Sequence, residues 1–302
     1  MLTRFLTLTL NPAIDCTLSV KGALRLGGVH TVAGEVRTAG GKGVNVAKAI
    51  AAAGRPVRAG GLLGAADAPF YESELRPMGI DTRFLPVPYP TRCNIMAADS
   101  AGHELKLNRP GFPDLAYDAA AFERYARDVS ADADVVVLSG SLPARFPLDA
   151  YARLVRLFRE LGRAVVLDCS GPAPALAAAE LPHVLKPNRR ELAELVGHPL
   201  RTEKARLAEV RRLAGRVDVV ILSDGARGAW FASRGAVLHA AAIGVAAVDT
   251  TGAGDWLLGQ FCADYFEERA LTPAVAANAV AAGAAAVQVR GTPFIRSRRS
   301  AR

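Results

Sequence analysis

The chain has 302 residues, 51% of them hydrophobic, and a net charge of +8, so it is long enough to fill the core of one large globular domain. No uncharged apolar run approaches the roughly 18 residues of a membrane span, and the start MLTRFLTLTLNPAID lacks the pattern of a signal peptide, so a soluble cytoplasmic protein without a membrane segment is predicted. Four arginines in the end GTPFIRSRRSAR account for half of the net charge, and the remaining charge favours small anionic substrates over nucleic acid.

Short apolar runs alternate with helical stretches along most of the chain. The runs are apolar throughout, which is typical of strands buried on both faces, and they cover residues 5–10, 57–63, 135–138, 165–167, 184–185 and 219–222. Helices are predicted over residues 45–53, 118–129, 148–161, 189–196 and 203–213. This order predicts an α/β fold with a mostly parallel sheet and helices on both sides. Ligands of such folds bind beyond the carboxyl ends of the strands.

Two segments depart from this repeat. Residues 15–37 and 84–108 are broken by Gly and Pro and alternate weakly, which indicates either surface hairpins or a small sheet folded over the ligand site. The Ala-rich stretch 274–289 predicts a buried helix. Residues 296–302 have the composition of a flexible, solvated tail.

Cysteine and histidine spacing points to no metal or disulfide framework. The four cysteines are far apart without a CxxC pair, and the five histidines lack a spacing such as HxxxH. Buried free thiols are therefore expected.

The stretch DTTGAGD, residues 249–255, places glycines directly before an acid and an apolar run. Gly252 and Gly254 allow the backbone amides to turn toward one point, where the following helix adds the positive end of its dipole. Asp255 would lie where a substrate hydroxyl can lose its proton. The alternative is an ordinary Gly-rich loop with an Asp helix cap.

A second glycine cluster, AGGKGVNVAKA at residues 39–49, also opens a helix. Gly40 and Gly41 permit close backbone approach, and Lys42 offers a positive charge suited to a phosphate or a sugar oxygen. Asn45 adds a donor and an acceptor. A tight strand-to-helix connection with a surface lysine is the alternative.

Two further motifs carry polar groups at the starts of structural elements. In LKPNRRELAELVG, Asn188 and Glu191 lie three residues apart, as ligands of Mg²⁺ or as a helix capping box. In LSDGARGAWF, Ser223, Gly225 and Gly228 form a turn between two strands, where amides can touch a nucleotide phosphate or simply close a hairpin.

Together and in this order, GGKGVN, SGSLP, KPNRRE and DTTGAGD resemble the ribokinase-like (PfkB) carbohydrate kinases, and TLNPAIDCT at residues 9–17 is similar to their 1-phosphofructokinase and tagatose-6-phosphate kinase branch. The resemblance implies one doubly wound kinase domain over residues 1–302. It also implies a β-sheet lid from insertions at about 12–37 and 86–110, and a homodimer formed through the lid. ATP with Mg²⁺ would phosphorylate a phosphosugar: fructose 1-phosphate, fructose 6-phosphate or tagatose 6-phosphate.

The resemblance also implies roles for individual residues. Asp255 would be the catalytic base, with Gly252, Ala253 and Gly254 around the transferred phosphoryl group. The substrate would be bound by Asp15, Gly40, Gly41, Lys42, Asn45, Arg92, Lys106, Arg109 and Ser141, with Arg92 as the preferred anchor of its phosphate. ATP would be bound by Lys186, Asn188, Ser223, Gly225, Gly228, Thr251 and Asn278, and Mg²⁺ by Asn188 and Glu191.

Three departures from the family pattern leave other functions open. Trp256 stands where a small residue is usual, Asp224 adds an acid near the expected phosphates, and GAADAPF at residues 64–70 lacks the usual GxxG run. The alternatives are a kinase of an unphosphorylated sugar or nucleoside, and a non-catalytic sugar-phosphate sensor. A dinucleotide-dependent dehydrogenase is disfavoured because no GxGxxG follows the first strand.

Overall fold

The computed structural model describes residues 2–171, 173–246 and 250–288; the predicted tail 296–302 and Asp249 of DTTGAGD lie outside them. In chain order the strands of this part are β1 (Phe5–Thr9), β2 (Ala13–Val20), β3 (Val32–Gly40), β4 (Val57–Gly64), β5 (Asp81–Val87), β6 (Arg92–Ala98), β7 (Glu104–Leu107), β8 (Val135–Gly140), β9 (Ala164–Cys169), β10 (Val184–Leu185), β11 (Val219–Ser223), β12 (Ala229–Ser233) and β13 (Ala236–Ala240). The large sheet has the order β13-β12-β11-β10-β9-β8-β1-β4-β5. Its strands from β11 to β5 run parallel, and β12 and β13 are antiparallel additions at one edge.

Helices cover both faces of the large sheet. The helices of the described residues are α1 (Lys42–Ala52), α2 (Ala68–Leu75), α3 (Ala119–Val129), α4 (Ala150–Glu160), α5 (Pro174–Ala179), α6 (Arg189–Val196), α7 (Glu203–Ala214), α8 (Ala253–Glu268) and α9 (Pro273–Ala286). Side chains alternate along each strand, so Val135 and Val137 pack on the face of α1, α2, α8 and α9, whereas Val136 and Leu138 pack on the face of α3 to α7. This arrangement confirms the predicted α/β fold.

Most predicted elements are present, with three differences. The segment predicted to begin at residue 84 starts inside β5, which pairs with β4 of the large sheet as far as Val87. The predicted buried helix near the chain end is α9, but Ala274 and Ala277 are exposed, because a methyl side chain can face water at little cost. The stretch GAADAPF, which lacks the usual glycines, forms a 3₁₀ turn and the first turn of α2.

The remaining strands form a small sheet of order β3-β2-β6-β7. Asp15 on β2 lies directly opposite Asn94 on β6, and Met96 lies opposite Lys106 on β7, so these side chains share one face. The small sheet anticipated from the two broken segments is therefore present.

Two buried side chains join the small sheet to the body of the protein. The Tyr71 hydroxyl on α2 lies 2.7 Å from the carbonyl oxygen of Ala13 and 3.1 Å from that of Gly40. Lys48 on α1 is fully buried, and its Nζ donates to the carbonyl of Ala39 at 2.6 Å. The first residue of β2 and the last two of β3 are therefore fixed against α1 and α2.

Helices α1 and α8 approach each other closely at Gly259. A Cβ added to Gly259 would lie 2.4 Å from the Cβ of Ala49 and 2.8 Å from the carbonyl oxygen of Val46. One turn earlier, Trp256 is buried in a cluster with Ala49, Ala52 and Ala286. The indole therefore belongs to the helix packing.

We expect Gly259→Val to lower the free energy of unfolding by about 2–3 kcal/mol, because the added atoms overpack the contact between α1 and α8. Ala277→Val is the matched control, since Ala277 is exposed on α9 and the change introduces the same side chain. Urea unfolding of both variants measures the difference. Equal stability of the two variants would contradict this account of the packing.

Candidate active site

The carboxyl ends of the central strands gather polar residues at one edge of the large sheet. Asn11 follows β1, Ser141 follows β8, Asp168 lies near the end of β9, Lys186 follows β10, and Ser223 ends β11. The starts of α1 and α8 face the same edge, since Lys42 on α1 contacts Asp168 and Asn45 on α1 contacts Asp255 on α8. A crevice at this position is where open α/β sheets bind ligands.

Asp255 is a buried acid in the first turn of α8. Its carboxyl is 6% exposed, and its Oδ2 accepts a hydrogen bond of 2.9 Å from Asn45 Nδ2. Burial, with the negative charge of Asp168, raises the pKa of Asp255 to about 7, although Lys42, Asn45 and Lys186 favour its ionised form. A carboxylate with a pKa near neutrality is suited to accept a proton in a reaction.

The start of α8 presents backbone donors without a side-chain cap. Gly252 is the N-cap residue with a φ of 78°, and the N–H groups of Asp255 and Trp256 donate to its carbonyl, each at 2.9 Å. The amides of Ala253 and Gly254 precede these bonds at the positive end of the helix dipole. The start of α8 is therefore lined by glycines and lacks a side-chain cap, and its binding of an anion stays a prediction.

A cluster of alternating charges lies beside this helix start. Lys42 Nζ lies 3.6 Å from Asp168 Oδ1 and 3.4 Å from Glu191 Oε1, and Lys186 Nζ lies 3.0 Å from Asp168 Oδ1. The charge of Asp168, more than that of Glu191, raises the pKa of Lys42 despite partial burial. A Cβ added to Gly254 would lie 3.5 Å from Lys186 Nζ, so Lys186 also reaches the start of α8.

Asp168 is a site residue that the sequence reasoning missed. It is 1% exposed and contacts both lysines of the cluster. The available signal was an acid directly after the apolar run 165–167, at the end of a predicted strand. That position alone did not distinguish it from other strand-ending acids.

Asn188 and Glu191 form the helix capping box that was the alternative to a metal site. Asn188 Oδ1 accepts from the amides of Arg190 and Glu191, each at 2.9 Å, and Glu191 Oε2 accepts from the amide of Asn188 at 2.9 Å. The other oxygen of Glu191 faces Lys42. The cap therefore orients Glu191 toward the charge cluster, and the role of Asn188 as a metal ligand stays a prediction.

The glycines before α1 allow the small sheet to approach closely. A Cβ on Gly40 would lie 2.0 Å from Asp15 Oδ2, and one on Gly41, whose φ is 106°, would lie 3.0 Å from the Cα of Pro12. Asp15 Oδ1 accepts from Asn94 Nδ2 at 3.0 Å. Asp15 is therefore held beside the Gly40–Gly41 connection, and its role in binding the substrate stays a prediction.

Arg92 links three segments at the end of the small sheet. Its Nε donates to the carbonyl of Pro12 at 3.2 Å, one Nη donates to that of Arg109 at 2.9 Å, and the other donates to that of Asn11 at 3.0 Å. Asn11 Nδ2 in turn donates to Ser141 Oγ at 3.0 Å. Asn11 thus connects Arg92 with Ser141. Arg109 binds Arg92 only through its backbone carbonyl, and its own side chain is exposed.

Lys106 connects the small sheet to the DTTGAGD stretch. Its Nζ donates to Thr251 Oγ1 at 3.2 Å and lies 3.1 Å from Glu104 Oε2. The face that carries Asp15 and Lys106 therefore looks toward the start of α8.

The turn after β11 is closely packed, and its extra acid is compensated. A Cβ on Gly228, whose φ is 93°, would lie 2.0 Å from the carbonyl oxygen of Ala240. The buried carboxylate of Asp224 pairs with Arg189 and, at 2.9 Å, with Arg227. Asp224 therefore presents no uncompensated charge to a phosphate.

Asn278 does not join these contacts. It lies exposed on α9, and its Nδ2 donates at 3.1 Å to Asp264, nine residues beyond Asp255 on α8. Its assignment to the nucleotide stays a prediction.

A cavity of about 360 Å³ lies elsewhere, between α3 and α4. The three arginines that line it are paired with acids: Arg127 with Glu123, Arg153 with Asp149 and Arg156 with Glu180, at 2.8, 2.9 and 2.6 Å. Because these charges are already compensated, we assign the chemistry to the charge cluster at the sheet edge.

A further departure noted in the sequence is the bulky Trp256 beside Asp255. Trp256 is 4% exposed and packs against Ala49 and Ala52 of α1 and against Ala286, whereas Asp255 contacts Asn45, one turn nearer the start of α1. The bulky ring therefore does not fill the space between Asp255 and the small sheet.

Comparisons with known proteins agree with this geometry. Residues 9–297 match the pfkB family carbohydrate kinase model. A 1-phosphofructokinase of Xanthomonas campestris pv. campestris is 37% identical over 271 residues, which cover 87% of this chain and 84% of that protein. The 1-phosphofructokinase of Rhodobacter capsulatus is 36% identical over 258 residues, with coverages of 84% and 81%. Phosphofructokinase-2 from Escherichia coli, in complex with substrates and products, has a TM-score of 0.86 at 27% identity and covers 94% of this chain and 93% of its own. On the strength of this match over nearly the whole chain, the protein belongs to the pfkB family of carbohydrate kinases.

Proposed function

We propose that the protein transfers the γ-phosphoryl group of ATP to a primary hydroxyl of a phosphorylated ketohexose. The observation that carries this proposal is the buried Asp255 carboxyl, which binds Asn45 at the glycine-lined start of α8. Fructose 1-phosphate is the preferred acceptor because relatives named 1-phosphofructokinase cover most of the chain. Fructose 6-phosphate and tagatose 6-phosphate share the same chemistry.

Asp255 acts as the general base in this proposal. With its pKa raised to about 7, roughly half of the carboxyl is ionised at pH 7, and the carboxylate is basic enough to take the hydroxyl proton. Asn45 fixes one carboxylate oxygen, which leaves the other oxygen for the substrate hydroxyl. Positioning of this kind supplies much of the acceleration in phosphoryl transfer.

The start of α8 and two lysines stabilise charge on the transferring group. The amides of Gly252, Ala253 and Gly254 provide donors at a positive helix end. Lys186 lies close to Gly254, and Lys42 bridges Asp168 and Glu191. Both ammonium groups are therefore near the proposed path of the phosphoryl group.

The site also fits a divalent cation such as Mg²⁺. Asp168 and Glu191 both approach Lys42 Nζ within 3.6 Å, so two hard carboxylate donors meet at one place. Among the described residues no three acidic, His or Cys side chains form a metal cage, which suits a cation held by few carboxylates together with phosphates. The cation, when bound, would neutralise negative charge on the phosphates.

The small sheet is proposed to serve as the lid that holds the acceptor. Asp15, Gly40, Gly41 and Asn45 would bind the sugar hydroxyls. Arg92 retains two of its five N–H donors beyond the three carbonyls it binds, and these would hold the acceptor's phosphate with Ser141. Lys106 and Arg109 would add positive charge at the same end.

The nucleotide is proposed to lie across the ends of β10 and β11. Ser223, Gly225 and Gly228 form the turn there, and Asn188 forms an isolated β-bridge with Ser223. Thr251 borders the start of α8.

The four cysteines are free thiols, which is typical of a reducing compartment and supports the proposed cytoplasmic location. Within the described residues, no helix is long and apolar enough to cross a membrane.

A panel of acceptors tests the proposed function. Purified protein with MgATP is assayed for ADP release with the three ketohexose phosphates, with fructose and tagatose, and with a nucleoside. We expect at least one phosphorylated ketohexose to exceed its free sugar in kcat/KM by about 100-fold or more, because charge-assisted hydrogen bonds to phosphate contribute roughly 1.5–3 kcal/mol each. The highest kcat/KM on a free sugar or nucleoside would favour that alternative, and no ADP release with any acceptor would favour the sensor.

We expect Asp255→Asn to lower kcat by about 100- to 10,000-fold while ATP binding is kept, because the amide cannot accept the proton. Glu268→Gln, which removes one carboxylate at the other end of α8, is the control and is expected to retain wild-type turnover. In the wild type, kcat/KM should rise with pH up to about 7, since Asp255 is protonated below its pKa. The pH profile of kcat/KM for Asp255→Asn serves as the baseline, because it still contains the titration of the substrate phosphate near pH 6. Near-normal turnover of Asp255→Asn would reject the assignment.

The small sheet is also the proposed dimer interface. Large apolar side chains exposed by the described residues concentrate on the small sheet and its loop, at Leu105 and Leu107 of β7, Val32 and Val36 of β3, and Leu26 and Val29 before β3, and among them Val36 shares the face of Asp15. Leu105 and Leu107 lie on the face opposite Lys106, away from the proposed substrate site. Exposed apolar patches of this kind mark protein interfaces.

We expect Leu107→Asp to convert a dimer into a monomer at micromolar concentration, because the charge would be buried in the interface. Leu148→Asp, an equally exposed leucine outside the small sheet, is the control and should remain dimeric. Sedimentation equilibrium measures both masses. A monomeric wild type, or a dimeric Leu107→Asp, would reject this interface.

A further inference from the structure

Asn11, in TLNPAID, connects several segments next to the proposed phosphate-binding residues. It is 4% exposed at the end of β1, and its Nδ2 donates to the carbonyl of Pro110 at 2.9 Å and to Ser141 Oγ at 3.0 Å. Its own carbonyl accepts from Arg92 at 3.0 Å. Asn11 therefore touches both Arg92 and Ser141, although neither the sequence motifs nor the reaction scheme gave it a role.

The orientation of the Asn11 amide follows from its partners. The carbonyl of Pro110 can only accept a hydrogen bond, so it must face the NH₂ group of Asn11. The Oδ1 atom then lies against Gly111, where an added Cβ would be 2.0 Å away. Both N–H donors of the amide are used, one on Pro110 and one on Ser141.

This orientation fixes the direction in which the Ser141 hydroxyl can donate. A hydroxyl has one O–H donor and two acceptor lone pairs. Because Ser141 Oγ accepts from Asn11, its proton is directed to another acceptor. An anionic phosphate oxygen at the open end of the strand is an acceptor of this kind.

Asn11 and Arg92 also hold the same two segments together. Arg92 donates to the carbonyls of Asn11, Pro12 and Arg109, and Asn11 donates to the adjacent carbonyl of Pro110. The four bonds run between residues 11–12, the start of β6 and residues 109–110. They fix the plane of the guanidinium, so that its two remaining donors have a defined direction.

From these contacts we infer that Asn11 is a positioning residue for recognition of the acceptor's phosphate: it makes Ser141 a donor and holds Arg92 in place. The inference rests on the proposed function in assigning Ser141 and Arg92 to that phosphate. The side-chain amide of Asn11 has no N–H donor left for the substrate, so this side chain acts through its two neighbours.

Asn11→Asp is the sharpest test because the two side chains have the same shape. A carboxylate can only accept, so the Ser141 proton would turn toward residue 11, and a negative charge would lie near the phosphate. We expect KM for the best phosphorylated ketohexose to rise by about 10- to 100-fold, with kcat and KM for ATP within about 3-fold of wild type. KM for the corresponding free sugar should be unchanged. Asn108→Asp, the same change at an exposed position beyond β7, is the control.

A double-mutant cycle separates positioning from a general loss of structure. If Asn11 acts through Ser141, Asn11→Asp in the Ser141→Ala background should raise KM by clearly less than it does alone. Equal factors in the two backgrounds, or equal increases in KM for phosphosugar, free sugar and ATP, would overturn the inference. So would a variant indistinguishable from Asn108→Asp.

Binding of inorganic phosphate keeps this test separate from the proposed reaction. Calorimetry without ATP measures the phosphate dissociation constant of the wild type and of Asn11→Asp. A weaker constant in the variant supports the inference even if no phosphosugar is turned over, in which case the proposed function alone has failed. Equal phosphate binding by both proteins, or none by the wild type, would overturn the inference.

Discussion

The site depends on keeping several charges buried next to one another. Asp255, Asp168 and Glu191 are nearly inaccessible to water, and the lysines Lys42 and Lys186 lie between them. A buried charge is costly unless it is paired and hydrogen-bonded, and three carboxylates against two ammonium groups leave one negative charge in excess. The raised pKa of Asp255 is the consequence of burial and of this excess. The same imbalance would disfavour a polyanionic nucleotide, which is consistent with the cation proposed above.

The parallel sheet brings these charges together from distant parts of the chain. Asn45 and Asp255 are 210 residues apart in sequence, and Lys42 and Glu191 are 149 apart. Since parallel strands end at one edge, each crossover delivers a new side chain to the same place. The glycines at the starts of α1 and α8 remove the side chains that would block this convergence. Rigid packing at Gly259 then fixes the two helix starts relative to each other.

The sequence predicted the helices and strands better than the side-chain contacts between them. Apolar runs and glycine-rich helix starts are local signals, so the strands, the start of α8 and the group containing Asp255, Asn45 and Lys42 were predicted. Asp168 was missed because its importance lies in the two lysines that fold against it. The direction in which Trp256 points could not be predicted from the sequence either. Neighbouring residues of a helix are rotated by about 100°, so Trp256 packs against other helices although it follows Asp255 directly. Asn188 and Glu191 fitted two interpretations, and the capping box found here orients Glu191 toward the cluster.

A buried ammonium group holds the small sheet against the body of the protein, and burying that charge costs free energy. Lys48 is fully buried, and burial lowers its pKa to about 8, against the favourable charges of Asp15 and Glu74. An apolar side chain could fill this space without desolvating an ammonium group, but it could not bind the carbonyl of Ala39. The ammonium holds the strand that leads into Gly40, which in turn lies against Asp15. Lys48 therefore couples the body of the kinase to the side chain proposed to bind the sugar, because it holds the end of the strand that lies against Asp15.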